Sequence, residues 1–207
     1  MSGLLVLGAG GHGKVVADIL QCAGFTVTGF LDDDPERWDT SCLGLPVLGA
    51  IDTYADHDPD GLVLGVGSNR ARQLIVDRLG AQADPLWINA IHPRAIIADS
   101  VHFKRGIAVM AGAIINPDTV ISDHVIINTG ATVDHDCIIG DYVHIAPGVH
   151  LAGGVKIGEG TFIGIGAAVI PYLSIGKWVT VGAGAAVVHA VPDGVTAKGV
   201  PARWQEA

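Results

Sequence analysis

Two short stretches of this 207-residue chain carry side chains whose types and spacing could do chemistry. One is Asp134-His135-Asp136, an imidazole between two carboxylates. A carboxylate beside an imidazole fixes its tautomer and raises its basicity. Such a base can take a proton from an attacking amine or hydroxyl at neutral pH, worth roughly 10²–10⁴-fold in rate. Transfer within a ternary complex needs no covalent intermediate, so the adjacent Cys137 is expected to be inert core. The other stretch is Gly8-Ala9-Gly10-Gly11-His12-Gly13-Lys14, with the spacing G-x-G-x-x-G. A tight turn of this kind brings backbone N–H groups and a helix N-terminus to a phosphate. His12 and Lys14 put polar groups on the same loop, which favours a nucleotide or nucleotide sugar. Asp32 lies 19 residues beyond Gly13, close to the ribose-acid spacing of dinucleotide enzymes, so a dehydrogenase competes.

The elements that must position these residues can be read from periodicity. From Ile97 to Val187 every sixth residue is apolar, and all but Phe103 are Ile, Val or Leu. At the overall hydrophobic content of 49%, chance gives such a run with probability on the order of 10⁻⁵ per frame. Numbering each hexad from its apolar corner, position 5 is also small or aliphatic throughout, from Val101 to Val191. Positions 5 and 1 share one face of a short strand, position 6 points outward, and positions 2 to 4 turn the chain. Glycines at Gly140, Gly158, Gly164, Gly176 and Gly182 fall at position 2, where a turn is expected to profit from a missing Cβ. A strand plus a turn, repeated, predicts a solenoid, and three hexads per coil give a triangular prism of parallel strands. The phase assigns His135 to a turn and His102, His144 and His150 to the outward position 6. No histidine trio with metal-ligand spacing is found, and no metal is expected.

Leu4 to Leu7 reads as a buried strand, Lys14 to Ala23 as a helix, Val27 to Leu31 and Leu62 to Val66 as further strands. This order predicts a doubly wound α/β unit over residues 1–85, with the prism over residues 86–207 and a last strand, Leu86 to Ala90, leading into it. An α/β part of about eighty-five residues is short for a full dinucleotide fold, which weighs against the dehydrogenase. The formal charge of −9 argues against nucleic acid as a partner. The three cysteines, Cys22, Cys42 and Cys137, are scattered and fit a reducing compartment. No secretory leader is read at the start, and the most apolar window, Thr161 to Gly176, keeps the hexad phase. A soluble cytoplasmic protein without a membrane span is expected.

The hexads resemble the left-handed parallel β-helix of the hexapeptide-repeat acyltransferases, and the tail Lys198-Gly199-Val200-Pro201-Ala202-Arg203 resembles their closing segment. With the glycine-rich loop, Leu31-Asp32-Asp33, Gly67-Ser68-Asn69 and Asn128 to Asp136, the whole chain resembles the nucleotide-sugar N-acetyltransferases of the bacillosamine and perosamine pathways and is similar to sialic acid O-acetyltransferases. The resemblance implies acetyl-CoA as co-substrate and a homotrimer with acetyl-CoA in a groove between subunits. It implies His135 as general base, oriented by Asp136, with His144, Gly153, Ile165 and Ala183 along the acyl donor. Ala183 stands where the bacillosamine enzymes carry glycine. Lys198 and Arg203 are expected as phosphate partners. Gly10, His12, Asp32, Asp33, Asn69 and Asn128 are assigned to the nucleotide sugar. The acceptor is expected to be the amine of a nucleotide-linked 4-amino-4,6-dideoxy sugar. The nucleobase stays open, and so do hydroxyl acetylation and a non-catalytic nucleotide-binding trimer.

Overall fold

The computed structural model describes residues 3–205. By contact the chain divides into two units, residues 1–93 and 94–207. The division falls eight residues later than the boundary expected from sequence, and the core of the first unit explains it. Trp87 is buried among Leu5, Leu7, Leu62 and Tyr54, and it forms a parallel bridge to Leu62. Residues 86–90 are therefore not one strand: a 3₁₀ turn spans Asp84–Leu86 and a two-residue strand spans Ala90–Ile91.

In the first unit Leu4–Leu7 is the central strand of a three-stranded parallel sheet, flanked by Val27–Leu31 and Gly61–Leu64. Leu4–Leu7 and Gly61–Leu64 are buried at every position, as strands covered on both faces must be. Helix α1 (Gly11–Cys22) starts directly after the glycine loop, three residues earlier than predicted, and buries Val16, Ala17, Ile19 and Leu20. Helix α2 (Asn69–Leu79) is capped by the Ser68 hydroxyl, which accepts from the Ala71 N–H at 3.4 Å.

The second unit is the expected left-handed parallel β-helix. Its rungs are two-residue strands at positions 6 and 1, and each pairs with the strand eighteen residues on, three hexads per coil. One face runs from Ile96–Ile97 through Thr132–Val133 to Ala186–Val187, the second from His102–Phe103 to Ser174–Ile175, and the third from Ala108–Val109 through His144–Ile145 to Thr196–Ala197. The corner residues from Val109 to Val187 are all buried. Two threonines share the interior, Thr119 and Thr161. Each donates its hydroxyl to a backbone carbonyl and accepts a backbone N–H from the next coil, so neither is a buried orphan.

The turn chemistry differs from expectation. The left-handed residue sits at position 4: from Gly106 to Gly184 every sixth residue has φ between 53° and 72°. Glycine fills eight of these fourteen sites, and Asp118, His124, Asp136, Tyr142, Tyr172 and Trp178 fill the rest. The position-2 glycines serve coil stacking instead. A Cβ on Gly140 would lie 2.8 Å from the Glu159 nitrogen, and one on Gly158 2.6 Å from the Gly176 carbonyl carbon.

Candidate active site

In the first unit the three motif glycines do separate jobs. Gly8 turns the chain at φ 112° while its N–H donates to the Leu31 carbonyl at 2.7 Å. A Cβ on Gly13 would run into the Gly8 carbonyl oxygen, so glycine there lets α1 close against the strand. Gly10 is the N-cap of α1. Gly65, which no motif singled out, is equally constrained: its Cβ would meet Gly13 Cα at 2.8 Å.

The acidic run is an organiser of this loop. Asp32 accepts from the Ala9 N–H at 2.7 Å and from the Asp34 N–H at 2.9 Å, tying the glycine loop to the next strand's end. Asp33 accepts from the Ile51 N–H at 3.3 Å and pairs with Arg78 at 2.8 Å. Arg72 is fully buried and donates to the Gly67 carbonyl at 2.9 Å and to Asn69 Oδ1 at 3.3 Å, fixing the loop after the third strand. Burial first, and then the Arg72 charge, push the His12 pKa down to about 4. The imidazole is therefore neutral at physiological pH. Two cavities adjoin here and share Gly8, Asp32 and Val66. One, of about 430 Å³, is lined by Gly10, His12 and Gly67; the other, of about 560 Å³, by Asp33, Leu74 and Arg78. Sequence reasoning missed Arg72 and Arg78, which sit in the first and last turns of α2.

In the second unit His135 stands in the turn between Thr132–Val133 and Ile138–Ile139. Its Nδ1 lies 2.7 Å from Asp136 Oδ2, with about half of the side chain exposed. Asp136 can only accept when ionised, so Nδ1 carries the proton and Nε2 keeps its lone pair. The Asp136 hydrogen bond is the largest influence on the imidazole pKa, raising it above the usual histidine value. Asp134 does not face the ring: its Oδ1 accepts the His135 N–H at 2.8 Å and the Asn116 amide at 2.8 Å. Those bonds hold its own carboxyl below the usual range. Thr119 donates to the Asp134 carbonyl at 2.8 Å. The turn is thus pinned by Asn116 and Thr119 from the preceding coil. On the following coil Gly153 lies beneath the ring: a Cβ there would stand 2.5 Å from Nε2 and Cε1. Cys137 is buried, its thiol pKa raised by burial, and Sγ donates to the Ala152 carbonyl at 3.4 Å.

His144 occupies outward position 6, as its phase requires, yet it is buried and not surface-exposed as expected. Phe162 packs edge-on against it at 5.2 Å, and Asn128 Nδ2 lies 3.0 Å from its Nε2. The Asn128 amide orientation is set by the Thr129 N–H, which donates to Oδ1 at 2.8 Å. Nδ2 therefore donates, and His144 Nε2 accepts. His124, at the left-handed turn position 4, is buried and stacks on Tyr142 at 5.4 Å.

The structure brings Asn128 and His144 together, and His135 with Asp136 and Gly153. It does not bring the two groups together within one chain. His135 lies on the prism edge between the first and second faces, whereas Asn128 lies on the edge between the third and the first. Ile165 and Ala183 lie exposed on the Asn128 edge, at the same phase one coil apart. Lys198 and Arg203 are joined by two backbone hydrogen bonds of 2.9 Å and line a cavity of about 460 Å³ with Trp204. Among the described residues, the metal-type trio Asp18, Cys22 and His92 lies in the first unit, outside the prism.

An α/β unit with a glycine-rich anion loop, joined to a hexapeptide prism that presents an activated histidine, defines a hexapeptide-repeat transferase with its own nucleotide-type domain. The PglD N-terminal domain model matches residues 3–79, and the bacterial transferase hexapeptide model (six repeats) matches residues 118–153. PerB from Caulobacter crescentus, solved with CoA and GDP-perosamine, is 43% identical, with a TM-score of 0.90 over 100% of this chain and 98% of that one. The acetyltransferase domain of PglB from Neisseria gonorrhoeae, solved with acetyl coenzyme A, is 40% identical, with a TM-score of 0.89 over 98% of each chain. A UDP-N-acetylbacillosamine N-acetyltransferase of Bacillus subtilis is 42% identical over 119 residues, 54% of this chain and 52% of that protein. The match therefore spans about half the length of that curated relative. The chain belongs to the PglD-type, hexapeptide-repeat family of perosamine and bacillosamine N-acetyltransferases. Among the described residues no helix is long and apolar enough to cross a membrane.

Proposed function

We propose that the chain transfers the acetyl group of acetyl-CoA to the amine of a nucleotide-linked 4-amino-4,6-dideoxy sugar. The observation that carries this reading is His135, with Nδ1 held on Asp136 at 2.7 Å and Nε2 left as the base. The amine nitrogen attacks the thioester carbonyl, Nε2 takes the ammonium proton, and CoA leaves as the thiol after protonation. Asp136 stabilises the imidazolium that forms. Cys137 takes no part, because a buried thiol with a raised pKa is a poor nucleophile. The glycine loop and α1 N-terminus receive the pyrophosphate, with Gly10, His12 and Asn69 around it. Lys198 and Arg203 receive the phosphates of acetyl-CoA, and Gly153, Ile165 and Ala183 line its pantetheine.

The two histidine groups lie on different edges, which favours a homotrimer in which His135 of one copy meets Asn128 and His144 of the next. Exposed Ile96 and Ile138 on the outer faces fit such an assembly. The cytoplasm, where acetyl-CoA is made, is the proposed compartment. Purified protein, acetyl-CoA and a panel of UDP-, GDP- and dTDP-linked amino sugars test the activity by thiol release. Release with an amino sugar but not its hydroxyl analogue is expected. Silence on every amine overturns the proposal.

A further inference from the structure

Outside the two cavities of the first unit, one cluster combines a carboxylate, a thiol and an imidazole. Asp18, Cys22 and His92 each offer one ligand atom, and these atoms all lie within 4.8 Å of one another. Asp18 and Cys22 stand one turn apart on α1, so helical geometry puts them on the same face. The helix packs beside Ala90–Ile91, and that strand delivers His92. His92 comes from a distant segment, so no short metal-type spacing marks the trio along the chain.

The place of the cluster on the helix also favours a cation. Cys22 is the last residue of α1, and the last turn of that helix carries no basic side chain. The carbonyl end is the negative pole of a helix, so a positive ion is stabilised there. A thiolate, an imidazole and a carboxylate together suit zinc, whereas magnesium and calcium take oxygen donors. Tetrahedral zinc at about 2.0–2.3 Å from its donors needs them about 3.3–3.7 Å apart. Asp18 and Cys22 are exposed and His92 is half-buried, so at least two of the donors can turn toward a common point.

We propose that Asp18, Cys22 and His92 form a zinc site that ties the C-terminal end of α1 to the segment after Ala90–Ile91. The ion takes Cys22 Sγ, one His92 ring nitrogen and one Asp18 carboxylate oxygen, and water fills the fourth position. The Cys22 thiol gives its proton to solvent as the Zn–S bond forms, and no electron is transferred. The site belongs to the first unit and takes no part in the acetyl transfer assigned to His135 of the second.

The untagged full chain, stripped of metal by a chelator, tests this with cobalt(II) and zinc(II). Equimolar cobalt(II) is expected to give a thiolate-to-cobalt charge-transfer band in the near ultraviolet, and the band is expected to vanish in Cys22→Ser. Cys42 and Cys137 are buried and do not supply it. Zinc is expected to slow iodoacetamide labelling of Cys22 about tenfold or more, read by mass spectrometry, and added chelator to restore it. In chelator-competition titrations Asp18→Asn, Cys22→Ser and His92→Gln are each expected to weaken zinc binding about tenfold or more. A wild-type chain that shows no charge-transfer band, or no protection of Cys22 by zinc, overturns the proposal, and neither reading depends on a variant folding. Zinc affinity unchanged by any of the three substitutions overturns it as well, and assigns the ion to other side chains.

Discussion

Gly153→Ala separates the two roles that position 153 could have. The φ of Gly153 is outside the left-handed region, so alanine fits its backbone without strain. The added methyl carbon, however, would sit 2.5 Å from His135 Nε2 and Cε1 and 3.1 Å from Cδ2. Ordinary contact needs about 3.5 Å, so the ring must move by about 1 Å. It cannot do so and keep the 2.7 Å bond to Asp136 in place. A displacement of this size at a reacting group costs about 10²-fold, within the range set by losing a general base. Steady-state kinetics should therefore show kcat down by about two orders of magnitude, with KM for acetyl-CoA changed little. The double variant makes the argument specific. If alanine acts by displacing the base, His135→Ala and His135→Ala with Gly153→Ala should have the same residual rate. If Gly153 matters as a backbone contact to pantetheine, its cost should survive in the His135→Ala background and appear in CoA affinity. A Gly153→Ala enzyme within threefold of wild type in kcat would refute the steric reasoning outright.

Asp136→Asn removes the hydrogen bond that does most to raise the His135 pKa. The free base is the active form, so the acid limb of kcat/KM should move to lower pH while its plateau falls; an unmoved limb would assign that ionisation elsewhere. His12 has a folded-state pKa near 4 against 6.5 unfolded, so the unfolded chain binds more protons between those values. Stability should fall as pH drops from 6.5 toward 4, by about 3 kcal/mol in all, and His12→Gln should remove that part of the slope in pH-dependent denaturation. Cys137→Ala should leave turnover within about twofold, and iodoacetamide should label exposed Cys22 before buried Cys137 in the folded chain. Asn128→Ala deprives buried His144 Nε2 of a donor and should lower stability by about 1–2 kcal/mol, read as a shift in melting temperature.

The prism was legible because one period governs it. Apolar corners every six residues require strands, and three hexads per coil require that residue i lie against residue i+18. That second consequence reaches the site. Eighteen beyond His135 is Gly153, and eighteen before Asp134 is Asn116, which are the residues found beneath the ring and behind the turn. The arithmetic needed for both was present in the hexads, and applying it to every polar turn residue would have named them. Two features resist it. The left-handed site at position 4 takes Tyr142, which stacks on His124, and Trp178 as well as glycine, at about 1–2 kcal/mol each, so composition hides it. The burial of His144 depends on what covers an outward position, which the period does not specify. In the first unit no repeat relates distant residues, so the 45-residue separation of Asp33 and Arg78 has no signature in the chain. A glycine spacing is visible because backbone geometry alone demands it, whereas the Asp33–Arg78 pair joins side chains from separate segments. The prism is thus readable by counting, and the side-chain pairings of the α/β unit only by folding.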